Sequence, residues 1–463
     1  MIPNDLNAFL MPFSANKEFK VNPRMVVAAD GMFFKSSDRR DILDGMSGLW
    51  CVNAGHGREE IANAIRDQVL EIDYAPNYHI AHPKSFDMSN RLLEIMPEGL
   101  VPEGMSNVFF ANSGSEAVES ALKIAMAYHF ARGEDQRTRL IGRVRGFHGS
   151  GFAGMSVGNI ESNRKQFSNF LPEVDHLPHT LNIEEMGFSK GQPNWGIHLA
   201  DELESLVTMH GADRIAAVIV EPMAGAGGVI VPPKGYLERL KEICVYYDLI
   251  LIFDEVITGF GRLGAATASE KFGVLPDLIC LAKGMTNGTV PMGAVVMTEN
   301  IYQTLMAGQP EGIEFFHGYT YSGHPVACAA ALAALDVLEN DRLIERVKEM
   351  APIFESALHS LKGTRYISDI RNYGLAGALQ IEPYPGEPGR RPFEIAMKCW
   401  ERASTCAMAA TPSSSACRSS SSARRSIASS MGWVTPSANW NKSDDACRDA
   451  RRGQGAARVI RHG

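Results

Sequence analysis

The chain has 463 residues, 45 Lys and Arg against 53 Asp and Glu, 45% hydrophobic residues and 43 glycines. That length and balance exclude a peptide or a small stapled scaffold and lead us to expect two or three domains of about 150 residues each. No apolar run is long enough to cross a bilayer, so no membrane span is expected.

The start, Met1 to Asp5, has neither a basic nor an apolar segment of the kind that directs secretion, and the expected location is the cytoplasm. Strand-length apolar runs follow at Asn107–Ala111, Ala216–Val220 and Leu249–Phe253, with helix-like stretches at Glu116–Phe130 and Gly235–Tyr247. This alternation predicts an α/β fold with a mainly parallel sheet, whose sites gather at the carboxyl ends of the strands. The eight cysteines form no CxxC pair and no zinc-like spacing, so we expect reduced thiols and no metal.

Three strand ends carry chemistry. After Ala111, Asn112-Ser113-Gly114-Ser115-Glu116 opens a helix. Small residues there let backbone N–H groups approach an anion, although an ordinary turn with Ser113 or Ser115 as N-cap has the same pattern. After Phe253, Asp254-Glu255 puts carboxylates at a buried strand end, where each needs a cationic or proton-donating partner. The apolar run before Lys283 delivers one lysine into a loop containing Gly284, Gly288 and Gly293. Desolvation there would leave its amine neutral and nucleophilic. A phosphate cradle, a buried aspartate and a strand-end lysine together match the needs of pyridoxal phosphate: the phosphate is held, the pyridine nitrogen stays protonated and the aldehyde is bound.

Seven segments extend the match: Leu49-Trp50-Cys51-Val52-Asn53-Ala54-Gly55-His56-Gly57, NSGSEAVESALK from 112, Gly146-Phe147-His148-Gly149, Glu221-Pro222, FDEVITGFGRLG from 253, LAKGMTNGTVPMGAV from 281 and HGYTYSGHPVACAAAL from 317. On these, residues 1–401 resemble the class III aminotransferases of fold type I, most closely the omega-amino acid:pyruvate branch. The resemblance implies a large domain with a mainly parallel sheet between helices and a smaller α+β domain. The expected division is 1–58 contributing to the small domain, 59–322 as the cofactor-binding domain, 323–401 as an incomplete small domain, and 402–463 as an aberrant tail.

The resemblance also implies roles. Lys283 would bind the cofactor's aldehyde and shuttle the proton, and Asp254 would charge the ring nitrogen. Ser113, Gly114 and Ser115 would hold the phosphate, with Thr320 adding a contact from the other subunit of a homodimer that shares its active sites and could assemble further to a tetramer. Phe147 stands where relatives commonly carry Tyr and would stack on the ring, with Val256 on the opposite face. Glu221 would position the cofactor and Asp254, while His148 would be an ordered supporting histidine. Trp50, Phe147 and Phe19 would line the substrate pocket. The expected reaction moves an amino group from an omega-amino acid or amine, such as β-alanine, to pyruvate. Alternatives are a 4-aminobutyrate or diamine aminotransferase, or a chain that binds cofactor without turnover. No nucleic-acid partner is expected.

From Arg402 onward the pattern changes. Residues 402–463 hold thirteen Ser and a net charge of +7, leaving −15 on the rest. Relatives continue here with text like KGFYVRYGGDTIQLGLP, whose arginine binds the substrate carboxylate. Written in GC-rich codons and read one base out of frame, that text gives Arg402 through Cys417 of this chain residue for residue. The same operation on Ala423–Asn441 recovers REEIDRLINGLGDAISELE, an amphipathic helix, with a stop possible at Asn441-Lys442. The sequence therefore points to a frameshift after Glu401 rather than a functional Arg/Ser arm, and to a tail that is poorly ordered and a small domain that is weakened.

Overall fold

The computed structural model describes residues 5–97, 104–308 and 312–406. Strands β1 (Val26–Asp30), β2 (Phe33–Ser36) and β3 (Asp41–Leu43) form an antiparallel sheet near the N-terminus. Seven strands build the large sheet: β4 (Met105–Ala111), β5 (Arg139–Arg143), β6 (Val174–Leu177), β7 (Ile215–Val220), β8 (Ile250–Asp254), β9 (Leu278–Leu281) and β10 (Gly293–Thr298). Their order is β4-β10-β9-β8-β7-β5-β6. The neighbours from β9 through β6 are parallel, and β10 alone runs against both of its neighbours. The mainly parallel α/β fold expected from the sequence is present. The reversed β10 was not legible, because an apolar strand reads the same in either direction.

The central strands are buried on both faces, which explains their unbroken runs of Val, Ile and Leu. One face packs on the helix Gly114–Ala131, through Ala117, Ala121, Leu122 and Ile124 against Ile219, Ile252 and Cys280. The other packs on the helix Tyr236–Tyr246, through Tyr236, Leu240 and Ile243 against Val218, Val220 and Leu251. With both faces covered, the ligand-accessible part of this sheet is its strand ends.

Strands β11 (Ile367–Tyr373) and β12 (Ala376–Ile381) form a hairpin packed on the helix Leu343–His359. The helix Arg390–Glu401 follows, and the chain then turns onto β3: Leu43 N–H donates to Ala403 O (2.8 Å) and Thr405 N–H to Leu43 O (2.9 Å). Ser404 is buried at this contact. Residues 402–406 are thus packed, contrary to the expectation for the start of the tail. One extended segment needs only a free strand edge to pair with, whatever its side chains. The remainder of the tail, 407–463, lies outside the described residues.

Candidate active site

Four strand ends and the turns that leave them enclose a cavity of about 320 Å³. Lys283 enters it from the end of β9, Asp254 from the end of β8, Glu221 from beyond β7, and Ser113–Ser115 from the turn after β4. Phe147 and Val256 also line it. Eight residues singled out in the sequence, spread over 170 positions, therefore meet at one place.

The turn after β4 is held by reciprocal caps. Ser113 Oγ accepts from Glu116 N–H (3.2 Å), and the Glu116 carboxylate accepts from the backbone and side-chain amides of Asn112 (2.7 and 2.8 Å). Ser115 Oγ accepts from Ser150 N–H (3.1 Å), which ties this turn to the 146–151 loop. Two glycines permit the approach. A Cβ on Gly114 would stand 2.8 Å from a Val256 methyl, and one on Gly149, at φ +96°, would stand 2.6 Å from Ser115 Oγ. The result is a helix N-terminus with small residues at its mouth, open to an anion.

Asp254 is buried and divides its carboxylate between two donors: Oδ2 lies 2.9 Å from His148 Nδ1 and Oδ1 accepts from Val256 N–H (3.1 Å). An acceptor at Nδ1 makes this the protonated ring nitrogen. Glu221 accepts from Phe147 N–H (2.9 Å) and Gly225 N–H (3.1 Å), so it fixes the loop that presents the Phe147 ring. Burial pushes the Glu221 carboxyl up, against the pull of His148 and Arg143. Glu255 points away from the cavity and binds the amides of Ala268 and Ser269 and the hydroxyls of Ser269 and Thr258, a structural role that the neighbouring aspartate does not share.

Burial holds the Lys283 ammonium below the usual lysine range, opposed by Asp254, Cys51 and Glu221 and assisted by Arg262. The lysine sits at φ +46°, in left-handed backbone that costs a non-glycine residue about 1 kcal/mol or more. Strain at a lysine between a buried strand and a tight turn fixes where its amine can reach.

Other singled-out residues lie elsewhere in the single chain. Trp50 stacks beneath the Arg262 guanidinium, 5.4 Å from its ring centroid, and its neighbour Cys51 lines the cavity. Phe19 lies under Arg24 (5.2 Å), whereas Phe13 is the N-terminal aromatic beside Phe147, with ring centroids 6.5 Å apart. Thr320 is exposed, away from this chain's own cavity, and its carbonyl accepts from Tyr74 OH (2.8 Å). Cys51, Asn112 and Gly149 were missed as site residues. All three adjoin or fall within quoted motifs, but only the fold shows that they face the cavity.

The donor set fits pyridoxal phosphate: an anion-binding helix end, a buried carboxylate for a ring nitrogen, an aromatic wall and one desolvated amine. Residues 14–391 match the family model described as "Aminotransferase class-III". The chain belongs to the class III aminotransferases. Their cofactor is pyridoxal phosphate, and this chain is a pyridoxal-phosphate-dependent transaminase of fold type I.

It is 53% identical over 398 residues to an omega-aminotransferase of Caulobacter vibrioides, covering 86% of this chain and 90% of that protein. It is 50% identical over 401 residues to the β-alanine–pyruvate aminotransferase of Pseudomonas aeruginosa, covering 86% and 88%. Among solved structures, the amine transaminase of an uncultivated Pseudomonas species in its pyridoxal-phosphate-bound form superposes with a TM-score of 0.80 at 35% identity, over 87% of this chain and 92% of that one. Among the described residues no helix is long and apolar enough to cross a membrane, and no cluster of three or more His, Cys, Asp or Glu could hold a metal ion.

Proposed function

We propose that this class III aminotransferase moves an amino group from an omega-amino acid or amine, such as β-alanine, to pyruvate, giving alanine. The carrying observation is the convergence of Lys283, Asp254 and the Ser113–Ser115 turn on one cavity. The named activities of the relatives at about 50% identity support the choice of substrates.

When bound, pyridoxal phosphate supplies an electrophilic aldehyde and a ring that accepts the electron pair released at the donor's carbon. The protein's contributions follow from its own groups. Backbone amides at Gly114 and Ser115, with the Ser115 hydroxyl, hold the phosphate at the helix N-terminus. The Asp254 carboxylate, oriented by His148, would hold the ring nitrogen in its protonated form. Phe147 and Val256, which both line the cavity, would supply its apolar walls against the flat ring. Lys283 Nζ, whose pKa burial lowers, would take the proton from the donor's carbon and return it one position along.

On the same footing we assign Thr320 to the cavity of a second copy in a homodimer. Its exposure supports this, as does the exposed apolar surface beside it at Ile313, Phe316 (86%) and Tyr321. Sedimentation of the purified chain tests the dimer, and a species that stays monomeric would refute it. A cytoplasmic location and the division at about 58, 322 and 401 belong to the same reading.

A second reading has its own support. The family match ends at residue 391, and the carboxylate-binding arginine expected from the resemblance is missing. Such a chain would hold cofactor yet turn over carboxylate-bearing donors poorly, while amines without a carboxylate would be less affected. Comparing β-alanine with an uncharged-tail amine such as 1-phenylethylamine in the donor half-reaction alone, without pyruvate and read as the loss of the bound cofactor's aldehyde absorbance, separates the two. Equal reaction of both at rates usual for the family supports a complete site. Loss of the β-alanine reaction alone supports the impaired one.

A further inference from the structure

Residues 47–50 take left-handed φ angles of 48°, 52°, 68° and 68° in succession. Only Gly48 among them adopts this conformation cheaply, so the turn is held by its surroundings. Asp44 holds one side, accepting from Gly48 N–H (2.6 Å) and lying 2.9 Å from His56 Nε2. Arg262 holds the other. Its Nη2 donates to Trp50 O (3.0 Å) and to Asn53 Oδ1, its Nη1 lies 3.5 Å from Ser47 Oγ, and its guanidinium covers the Trp50 ring.

Arg262 is fully buried, and among the described residues it is the largest side chain with essentially no exposure. Burial lowers its pKa to about 9, against the pull of Cys51 and Asp44. It still carries its charge at neutral pH.

The turn is joined to the lysine loop. Asn53 Nδ2 donates to Phe260 O (2.9 Å) and lies against Gly284, 2.6 Å from where a Cβ would stand. Ala54 N–H donates to Asn287 Oδ1 (2.9 Å), and Asn287 Nδ2 donates back to Gly55 O (2.8 Å). Arg262 therefore sits one side chain away from the residue that follows Lys283, and the segment it grips contributes Cys51 to the cavity wall.

We propose that Arg262 is a positioning residue for the amine: it clamps the left-handed turn Ser47–Trp50 against the 283–288 loop, and its charge sits one side chain, Asn53, away from Gly284. The clamp sets the wall of the cavity, and the charge favours the neutral, reactive form of the lysine. This rests on Lys283 being the cofactor lysine. The test uses two variants of the full-length chain. Arg262→Lys keeps the charge and loses the fork, while Arg262→Gln keeps a hydrogen-bond donor and loses the charge.

Two readouts are made without cofactor, so they do not depend on the cofactor assignment. The first is amide hydrogen exchange across 46–53, where Trp50, Cys51 and Val52 N–H are bonded within the turn. It should speed up about tenfold or more in both variants. The second is the pH midpoint of Lys283 acylation by acetic anhydride, read by mass spectrometry. It should rise in Arg262→Gln and stay closer to the parent value in Arg262→Lys. Unchanged exchange in Arg262→Lys would overturn the clamp, and that variant decides the point even if Arg262→Gln fails to fold. A midpoint that moves equally in both variants would overturn the charge role. If both readouts behave as expected while Lys283 proves not to carry cofactor, the functional assignment fails and the clamp stands.

Discussion

The cavity end of the large sheet and the C-terminal edge of the chain are built on different principles. At the cavity, Asp254 and Glu221 leave strands buried on both faces and are bonded to residues from other strand ends, Asp254 to His148 and Glu221 to Phe147. At the C-terminal edge, residues 403–405 are held mostly by main-chain bonds, to Leu43 and to Cys399, with a side-chain bond from Thr405 Oγ1 to Asp44, and the family match stops before them. The first region places side chains, so it is sensitive to their identity. The second needs mainly an extended backbone, so it accepts a sequence of quite different character. This contrast predicts that damage at the C-terminus changes stability and donor range while leaving cofactor capture intact.

The largest break in that comparison should come from Lys283→Ala. Loss of both nucleophile and proton carrier should cut alanine formation by about 10³-fold or more, with folding retained by circular dichroism. Asp254→Asn removes the charge proposed to face the ring nitrogen while keeping the shape, and should lower kcat about a hundredfold. Activity within threefold of the parent would count against that contact.

A pH experiment follows from the buried amine. A free lysine has a pKa of about 10.4, and burial lowers that of Lys283. The neutral fraction therefore grows with pH through a midpoint below that value, and the rate of cofactor capture by the cofactor-free protein should rise with pH and level off early. For stability the sign is the same: between the lowered folded pKa and the unfolded one the unfolded state binds more protons, so this group's contribution to stability increases with pH.

Gly149→Ala would drive a Cβ onto Ser115 at a left-handed φ, which should cost about 1–3 kcal/mol and weaken phosphate binding, seen as a lower melting temperature and a higher cofactor Kd. The smallest effect sharpens the contrast from the other side. A chain ending at residue 406 should be more stable than one ending at 401 by about 1–3 kcal/mol, the worth of two backbone bonds and a buried Ser404. Both should bind pyridoxal phosphate alike.

Much of the cavity was legible because its residues sit where an apolar run stops. Phe253 to Asp254 and Leu281 to Lys283 are abrupt changes from buried strand to functional side chain, and such changes appear in one sequence without any partner. The Ser113–Ser115 turn was legible for the same reason. What the sequence hid depends on long-range packing. Phe19 and Phe13 are six residues apart in an aromatic-bearing leader, and nothing local says which approaches Phe147. Trp50 carries the same indole whether it faces a substrate or a guanidinium. Its place over Arg262 is set by a left-handed turn that no residue but Gly48 announces. The pairing of Leu43 with Ala403 joins residues 360 positions apart and is carried entirely by main chain, so no side-chain pattern could reveal it.

The central claim is that the amine at the end of β9 carries the cofactor. Borohydride reduction of the cofactor-loaded protein, followed by proteolysis and mass spectrometry, tests it most directly. The account predicts a single phosphopyridoxyl group, on Lys283. Its appearance on a different lysine, or a protein that retains none, would contradict it.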